Sequence, residues 1–453
     1  MYLQDKKVLV LGLGISGLST VKSLNKLGAK IVVSDSKKEE ELKDFFHKTK
    51  DITVEKHLNT SDVPLENIDL IIKSPGIEPN SPLIVEANRR NIEVITDIEL
   101  AYRISPTDNI ISITGTNGKT TTTTLVGEIF KNANYTTYVA GNIGVGILWD
   151  MVNAKEEDVF VIESSSFQLE NTVSFKPKIS LITNITPDHL NWHGGLTNYI
   201  SAKKKTFKNQ DKTDYTILNY DNKTLREIKD EVNSNIIWFS VNERLDNGVF
   251  IDDGNIVIKN SATTIKVLPY EDLQILGKHN LENALGAVAV AFAFGLDIDI
   301  VAKTLREFPG VEHRMEYVTA IDGMKFYNDS KGTNPDSTIK AIEALNSPII
   351  LIAGGYDKGS DFNELILSFN GKVKELILMG KTREKIKEAA MKKGIKNVHL
   401  VENMKEAVEL AHKLGEENSN ILLSPACASW GMYNNFEERG KDFKDAVYGL
   451  KED

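Results

Sequence analysis

The sequence has little cysteine, no apolar run long enough to span a membrane and no block of like charge, and each lack excludes a class of protein. A single cysteine, Cys427, cannot form an internal disulfide and fits a reducing compartment. The apolar run LGAVAVAFAFGL at 285–296 is too short to cross a bilayer and predicts a buried helix. Acidic and basic residues are interleaved at a formal net charge of −10, which argues against a nucleic-acid-binding stripe and a polybasic membrane anchor.

The N-terminal run VLVLGLGISGL, preceded by Lys6 and Lys7, imitates a signal peptide. No Ala-x-Ala-like cleavage site follows, and three glycines interrupt the run, so we expect no export and a cytoplasmic protein. The 453 residues are too many for one ordinary core, and we therefore expect several domains.

Strand-like and helix-like segments alternate along the chain in the order that builds parallel sheets. One series begins with KKVLVLG, a second with NIISITG at Asn109, and a third with SPIILIAGG after residue 314. Short strands between 215 and 270 are expected to add an antiparallel edge to the second series. The predicted α/β domains are 1–97, 98–310 and 311–453.

The stretch VLVLGLGISG, residues 8–17, ends in the spacing G-x-G-x-x-G. Such a loop between a strand and a helix directs the helix N-terminus at a diphosphate. Asp35 follows the second strand, where a dinucleotide-binding protein places its ribose-binding acid. The motif alone leaves three possibilities open: NAD, FAD, or a structural turn without a ligand.

A second loop, ITGTNGKTTTTT at 113–124, also lies between a strand and a helix. Backbone N–H groups around a phosphate, a lysine ammonium and a hydroxyl for Mg²⁺ are what ATP requires, so Lys119 and Thr120 are predicted to bind it. Ile113 occupies the position of the usual first glycine. The alternative is a capped helix start without a nucleotide.

Two residues near this loop are candidate magnesium ligands. Glu163 ends the strand DVFVIE, and His189 follows the strand KISLITNI. Taken singly, Glu163 could cap a helix and His189 could be an ordinary loop histidine. Together with the ATP loop they predict a metal site, because Mg²⁺ clamps phosphate oxygens with the help of hard ligands.

Nine motifs follow one another from the second loop onward: GTNGKTTT, ESSSFQLE, TNITPDHLNWH, YISAKKKTF, LGKHNLENALGA, GVEHRME, NDSKGTNPDS, AGGYDKGSDF and SPACASWGMYNNFEERG. In this order they resemble the Mur ligases of peptidoglycan precursor synthesis, and among them those that add D-glutamate. The resemblance spans all three predicted domains. It implies a Rossmann-like N-terminal domain, a P-loop mononucleotide-binding central domain and a Rossmann-like C-terminal domain.

The resemblance implies an ATP-dependent acid–amino-acid ligase, ADP-forming, that joins D-glutamate to UDP-N-acetylmuramoyl-L-alanine through an acyl phosphate. Cell-wall biogenesis, cell shape and cell division would depend on it. The implied partners are these small molecules, and we expect no nucleic acid, no membrane insertion and a monomer.

In this family the first domain binds a UDP-sugar, so the first glycine loop is expected to hold UDP and not NAD. The residues implied in the UDP-sugar site are Gly14, Ile15, Ser16, Asp35, Ser36, Lys37, Ser74, Pro75, Gly76, Asn142 and His189. The residues implied in the ATP site are Gly115, Thr116, Asn117, Gly118, Lys119, Thr120, Thr121, Asn280, Asn283, Arg314, Asp329 and Lys331. Because this set crosses the second predicted boundary, domain closure is an expected step.

The lysines of YISAKKKTF suggest, by themselves, a solvated basic face. The resemblance implies instead that Lys203 is carbamylated by CO₂ and helps to hold one of two Mg²⁺ ions, which requires a neutral amine with a lowered pKa. The implied metal ligands are Thr120, Glu163, His189 and Lys203 as the carbamate. The implied catalytic residues are Lys119, Lys203, His189 and Glu163.

D-Glutamate carries two carboxylates and needs cations and N–H or O–H donors. The residues implied in its pocket are Thr333, Lys358, Ser429, Trp430 and Phe436. Trp430 departs from the aliphatic residue that the family pattern leads us to expect there. Nearby Cys427 suggests a thiol nucleophile, but no histidine partner is placed for it, and a small packed residue is the preferred interpretation.

Three alternatives stay open. Another ligase of the superfamily could add L-alanine, a diamino acid or a dipeptide, or extend folate as folylpolyglutamate synthetase does. The Asn-Pro-Arg signature expected of a diamino-acid ligase does not occur in the sequence. An NAD-dependent oxidoreductase rests on the first loop alone, and a catalytically dead binding protein would be expected to lack Lys119, Glu163, His189 or Lys203.

Overall fold

The computed structural model describes residues 1–60, 62–142, 146–261, 263–357 and 359–450. They form two compact units, of which the first is Met1–Tyr270 with Glu282–Leu305 and the second is Glu271–Leu281 with the chain from Arg306 onward. The α/β architecture predicted from the alternating segments is confirmed, since helices accompany sheets that are mainly parallel. The division at residues 97 and 310 stays a prediction.

The first sheet is parallel and has the order β3-β2-β1-β4-β5. Its strands are β1 Lys7–Leu11, β2 Lys30–Asp35, β3 Val54–Leu58, β4 Leu70–Lys73 and β5 Glu93–Ile95. The accompanying helices are α1 Ile15–Lys26, α2 Lys43–Lys48, α3 Pro82–Arg89 and α4 Asp97–Ile104. Leu11 is in register with both Ser34 and Lys73, so the loops that follow β1, β2 and β4 meet at one edge.

The second sheet has the order β14-β13-β12-β11-β10-β9-β6-β8-β7. Its strands are β6 Ile110–Thr114, β7 Thr137–Gly141, β8 Val159–Glu163, β9 Ile179–Ile182, β10 Tyr215–Asn219, β11 Asn235–Ser240, β12 Gly248–Asp252, β13 Asn255–Lys259 and β14 Thr264–Pro269. The helices along it are α5 Lys119–Asn132, α6 Ile147–Asn153, α7 Ser166–Glu170, α8 Leu190–His193, α9 Leu196–Lys204 and α10 Lys223–Glu227. The carboxyl ends of strands β6, β8 and β9 lie side by side, because Ile113 is in register with both Glu163 and Leu181.

The antiparallel edge predicted between 215 and 270 is confirmed only in part. Strand β13 is antiparallel to β12 and to β14. Strand β11, however, pairs parallel with both β10 and β12. Between β10 and β11, helix α10 lies on the connection that carries the chain back across the sheet.

Two further helices are α11 Lys278–Phe294 and α12 Ile298–Glu307. The prediction of a buried helix at 285–296 is confirmed over most of that run, since Leu285 and Val290 are fully buried. A Cβ on Gly286 would lie 3.0 Å from the side chain of Leu181, so α11 packs closely on β9. Within the described ranges, no helix combines the length and the apolarity that a membrane crossing requires.

The third sheet has the order β15-β16-β20-β17-β18-β19, in which β15 and β16 pair antiparallel and all other neighbours are parallel. Its strands are β15 Glu316–Ile321, β16 Met324–Asn328, β17 Ile349–Gly354, β18 Val373–Met379, β19 Val398–Leu400 and β20 Asn420–Leu423. The helices are α13 Pro335–Ala344, α14 Asn363–Ser368, α15 Arg383–Lys392, α16 Met404–Leu414 and α17 Phe436–Gly449. Leu423 is in register with Asn328 and Ile352, so the loops after β16, β20 and β17 lie at one edge.

Candidate active site

The loop at 115–118, between β6 and α5, depends on its two glycines. Gly115 and Gly118 have φ angles of 146° and 83°, which other residues rarely adopt. A Cβ on Gly115 would lie 1.9 Å from Oγ1 of Thr183, and a Cβ on Gly118 would lie 2.2 Å from Oδ1 of Asn283. The backbone is therefore held close to β9 and α11, where a side chain would not fit.

The segment after β9 holds the loop by hydrogen bonds. The backbone N–H groups of Thr116 and Asn117 donate to the carbonyl and the side-chain oxygen of Asn184, both at 2.9 Å. Oγ1 of Thr183 donates to the carbonyl of Asn117 at 2.6 Å. Thr183 and Asn184 begin the motif TNITPDHLNWH, so the sequence marked this segment but did not reveal that it braces the loop.

Two lysines converge on the carbonyl of Gly115. Nζ of Lys119 donates to it at 3.0 Å and to the carbonyl of Thr116 at 2.9 Å. Nζ of Lys203, from α9, donates to the same Gly115 carbonyl at 2.7 Å. The residue predicted on the ATP loop and the residue predicted as a carbamate are thus neighbours.

Lys203 is 1% exposed, and so the solvated basic face suggested for it is wrong. Burial lowers the pKa of its amine well below the ordinary 10.5, and the charge of Lys119 lowers it further, while the carboxylates of Asp188 and Glu163 act in the opposite direction. Lys204 and Lys205 remain partly exposed and pair with Glu231 and Glu170. The basic-face interpretation holds for these two lysines only.

Glu163 carries a partnerless oxygen. The residue is 2% exposed, and its Oε1 accepts a hydrogen bond from Nδ2 of Asn142 at 2.9 Å. Oε2 is buried and has no hydrogen-bond partner among the described residues. A buried carboxylate oxygen without a partner is costly, and a hard cation such as Mg²⁺ is a partner that suits it. The residues present therefore fit a magnesium ion.

The alternative that Glu163 caps a helix is wrong. Helix α7 is capped by Ser165, whose Oγ accepts the backbone N–H of Gln168 at 3.2 Å. The side chain of Gln168 accepts the backbone N–H of Ser165 in return, at 3.1 Å. The reciprocal pair satisfies the helix start without Glu163.

His189 stands at the start of α8 with a φ of 50° and a half-exposed side chain. Its ring centroid lies 4.8 Å from that of Phe167 on α7, and its Nε2 lies 3.5 Å from a carboxylate oxygen of Asp188. His193, four residues on, is buried and pairs through Nε2 with Oγ of Ser166 at 2.9 Å. Burial, with the charge of Lys203, lowers the pKa of His193 to about 4, so this ring is neutral near pH 7.

The three glycines of the first glycine loop differ in what surrounds their Cβ positions. A Cβ on Gly12 would lie 2.7 Å from Cβ of Ser74, and a Cβ on Gly17 would lie 2.3 Å from the carbonyl oxygen of Gly12. Apart from its neighbours in the chain, no atom of the described residues lies within 4 Å of the Cβ position of Gly14. Gly12 and Gly17 thus close the turn, whereas Gly14 faces the side on which such loops approach a diphosphate.

Asp35 braces this loop from the end of β2. Its Oδ2 accepts the backbone N–H of Leu13 at 2.7 Å, and its Oδ1 accepts that of Lys37 at 2.9 Å. Ile15 is exposed, and Ser16 lies next to it at the start of α1. The structure therefore brings the predicted UDP residues of the first sheet to one edge, and their contacts with a nucleotide stay predictions.

The second unit carries four more of the predicted ATP residues, Asn280, Arg314, Asp329 and Lys331, whereas Asn283 belongs to the first unit. Asp329 is buried after β16 and accepts Oγ–H of Ser424 at 2.7 Å. Burial raises the pKa of Asp329 to about 7, against the opposing effect of the Ser424 hydrogen bond. Nζ of Lys331 lies 5.0 Å from the ring centre of Phe436. Asn280 donates through Nδ2 to the carbonyl of Leu276 at 2.8 Å, in a different part of the same unit.

The predicted D-glutamate residues of this unit follow the ends of parallel strands, except for Phe436 at the start of α17. Ser429 is buried, whereas Trp430 is exposed and packs edge-on against Tyr356 at 5.7 Å between ring centroids. Lys358 lies outside the described residues. Cys427 is buried, and burial raises the pKa of its thiol, which supports the packed interpretation over a nucleophile.

A glycine loop between a parallel strand and a helix, with a lysine at the helix start and a partnerless buried carboxylate on the neighbouring strand, defines a nucleotide-binding α/β protein of the P-loop type. Three family models together match most of the chain. They are the Mur ligase MurD-like N-terminal domain at 6–96, the Mur ligase middle domain at 113–291 and the Mur ligase glutamate ligase domain at 313–427. The chain belongs to the Mur ligase family.

Two relatives, both named UDP-N-acetylmuramoylalanine--D-glutamate ligase, match along the full length of both chains. One, from Thermoanaerobacter sp. (strain X514), is 47% identical over 454 residues, and one from Alkaliphilus oremlandii (strain OhILAs) is 48% identical over 455 residues. The solved UDP-N-acetylmuramate-alanine ligase of Thermotoga maritima has a TM-score of 0.62 at 20% identity, covering 98% of this chain and 99% of that one. The three-domain fold predicted from the motifs is confirmed.

Proposed function

We propose that the protein is an ATP-dependent ligase that joins D-glutamate to the alanyl carboxylate of UDP-N-acetylmuramoyl-L-alanine, in the synthesis of peptidoglycan precursors. Relatives with this name share nearly half of their residues with the chain over its full length. The observation that carries the chemistry is the convergence of Lys119 and Lys203 on one carbonyl of the phosphate loop, together with the partnerless oxygen of Glu163 at the end of the neighbouring strand.

The chain's own groups suit phosphoryl transfer followed by amide formation. A carboxylate is a poor electrophile, so its oxygen first takes the γ-phosphoryl group of ATP, giving an acyl phosphate and ADP. The amine of D-glutamate then attacks the acyl carbonyl, and phosphate leaves as the amide forms. Lys119 offsets the negative charge on the phosphates, which is the main demand of such a transfer.

Thr120, Glu163, His189 and the carbamate of Lys203 would hold Mg²⁺, which would neutralise phosphate charge when bound. The carbamate forms when the neutral amine of Lys203 adds to CO₂ and releases a proton. The support for this step is the burial of Lys203, which keeps its amine neutral at a pH where an exposed lysine is charged.

We place D-glutamate at Thr333, Lys358, Ser429, Trp430 and Phe436, and UDP at the first glycine loop. We retain the three domains 1–97, 98–310 and 311–453, with closure around ATP as a step of the cycle. A reaction that consumes ATP and a UDP-linked sugar belongs in the cytoplasm, and we propose a monomer.

Release of ADP, measured with each candidate amino acid, tests the proposed function. ADP should appear only when Mg²⁺, UDP-N-acetylmuramoyl-L-alanine and D-glutamate are all present. When D-glutamate is replaced by L-glutamate, L-alanine, L-lysine or a diamino acid, the rate of ADP release should fall to the background level. Equal turnover with L-glutamate or L-lysine would overturn the assignment and favour another ligase of the superfamily.

A further inference from the structure

The guanidinium of Arg439 lies where the predicted D-glutamate loops of the third sheet meet. Arg439 belongs to α17 and is 1% exposed. Its Nε and Nη2 donate to Oγ and the carbonyl of Ser330 at 3.0 and 2.7 Å. Its Nη1 donates to the carbonyl of Cys427 at 3.1 Å. One side chain thus ties the loop after β16 to the loop after β20.

The loop after β17 packs on the same guanidinium. A Cβ on Gly355 would lie 3.3 Å from Nη1 of Arg439 and 2.3 Å from the carbonyl oxygen of Ala428. The backbone N–H of Tyr356 donates to that Ala428 carbonyl at 2.8 Å. The close approach requires the glycine, and it fixes the start of the segment that leads to Lys358.

The amino-acid pocket residues follow these anchor points closely. Thr333 comes three residues after Ser330, and Ser429 comes two residues after Cys427. Oγ of Ser330 also donates to the carbonyl of Phe436 at 2.8 Å. Each described pocket residue is therefore within three residues of an atom that Arg439 or Ser330 binds.

The chemistry at this junction demands arginine in particular. Although burial lowers the pKa of Arg439 to about 10, the group stays charged near pH 7. A buried charge is tolerated when its donors are hydrogen-bonded, and the planar fork of a guanidinium reaches two loops at once. A lysine ammonium has no such fork, so it cannot hold both loops in the same geometry.

We infer that Arg439 is a positioning residue that sets the geometry of the D-glutamate pocket by joining three loops. The inference deepens the proposed function and rests on it. Arg439 itself does not touch the amino acid. Its loss should therefore weaken the use of D-glutamate selectively, leaving the binding of the UDP-sugar unchanged.

The test compares the Michaelis constants of the three substrates in Arg439→Lys. The KM of D-glutamate should rise about tenfold to a hundredfold, and the KM of the UDP-sugar should stay within about twofold. The matched control is Arg383→Lys on α15, because the side chain of Arg383 bonds the carbonyl of Val401 and the exposed Glu402, neither of which belongs to these three loops. Its three Michaelis constants should match those of the wild type.

The wild-type assay comes first and separates the two claims. If the wild type does not use D-glutamate, the proposed function fails. If the wild type uses it but Arg439→Lys leaves its KM unchanged, or raises the KM of the UDP-sugar equally, the positioning role of Arg439 is overturned. Should Arg439→Lys fail to fold, Ser330→Ala removes two of the contacts and keeps the guanidinium, and it must raise the D-glutamate KM selectively for the inference to stand.

Discussion

Replacing Lys203 by arginine should abolish most of the activity, whereas Lys204→Arg and Lys205→Arg should leave it near the wild-type level. A guanidinium stays protonated and cannot form a carbamate. The three adjacent lysines make a matched set, since Lys203 is 1% exposed and the side chains of Lys204 and Lys205 are 25% and 26% exposed. A structural basic face would tolerate all three changes equally.

The expected loss of rate for Lys203→Arg follows from the group that is removed. Deleting one preorganised electrostatic contact in an active site lowers kcat by roughly 10²–10³. The guanidinium stays charged at a position where burial and the charge of Lys119 disfavour a charge, so the variant also loses folding free energy. Both the turnover and the unfolding temperature of this variant should therefore fall.

Lys203→Met separates the two effects. Because burial lowers the pKa of Lys203, each unit of that shift costs about 1.4 kcal/mol of folding free energy at a pH below the folded value. Methionine carries no charge and removes this cost. The variant should unfold at the wild-type temperature or above it and still be inactive.

The assays are ADP release, thermal unfolding and carbon-13 spectroscopy in labelled bicarbonate. Lys203→Ala should regain rate when acetate or propionate is added, because a small carboxylate can occupy the place of the carbamate. A fully active Lys203→Arg enzyme, or a wild-type spectrum without a carbamate signal, would refute the reasoning.

Three further predictions concern other parts of the chain. In calorimetric titrations the wild type should bind UDP but not NAD, and tighter binding of NAD would reverse the assignment. Gly17→Ala should no longer bind UDP, because its Cβ would lie 2.3 Å from the carbonyl oxygen of Gly12. Glu163→Gln should raise the Mg²⁺ concentration that gives half-maximal rate, and an unchanged Mg²⁺ dependence would remove Glu163 from the metal site. Because burial raises the pKa of Asp329 from 3.8 to about 7, its ionisation destabilises the fold progressively as the pH rises through this interval. The free energy of unfolding of Asp329→Asn in urea should therefore rise relative to that of the wild type by up to about 4 kcal/mol between pH 4 and pH 8. A difference that stays constant with pH would contradict the raised pKa.

The two phosphate loops were predictable because their signals are local. Glycines at fixed spacing after an apolar strand mark turns that only glycine can make, and Lys119 follows as the first residue of α5. The structure adds the reason for each glycine, such as the contact that a Cβ on Gly115 would make with Thr183.

Strand β16 was less visible in the sequence. Met324–Asn328 is short and lacks the density of valine and isoleucine that marks β17 and β20. Its place beside β20 depends on contacts between segments nearly a hundred residues apart.

The burial of single polar side chains could not be predicted from local pattern. Lys73 is 1% exposed, donates to the carbonyl of Ile77 at 2.8 Å, and burial lowers its pKa to about 8. Arg439 and His193 are buried in the same way, and nothing in their neighbouring residues signals it. The burial of Lys203 was expected only through the family resemblance, because its local sequence is that of an exposed basic helix.

Transfer of oxygen-18 from the alanyl carboxylate of UDP-N-acetylmuramoyl-L-alanine to phosphate tests the central claim most directly. If the protein activates this carboxylate with ATP and then joins D-glutamate to it, each amide formed should deliver one labelled oxygen to the released phosphate. Mass spectrometry of the phosphate and of the sugar nucleotide measures both products at once. Unlabelled phosphate, or labelled phosphate without an amide to D-glutamate, would contradict the account.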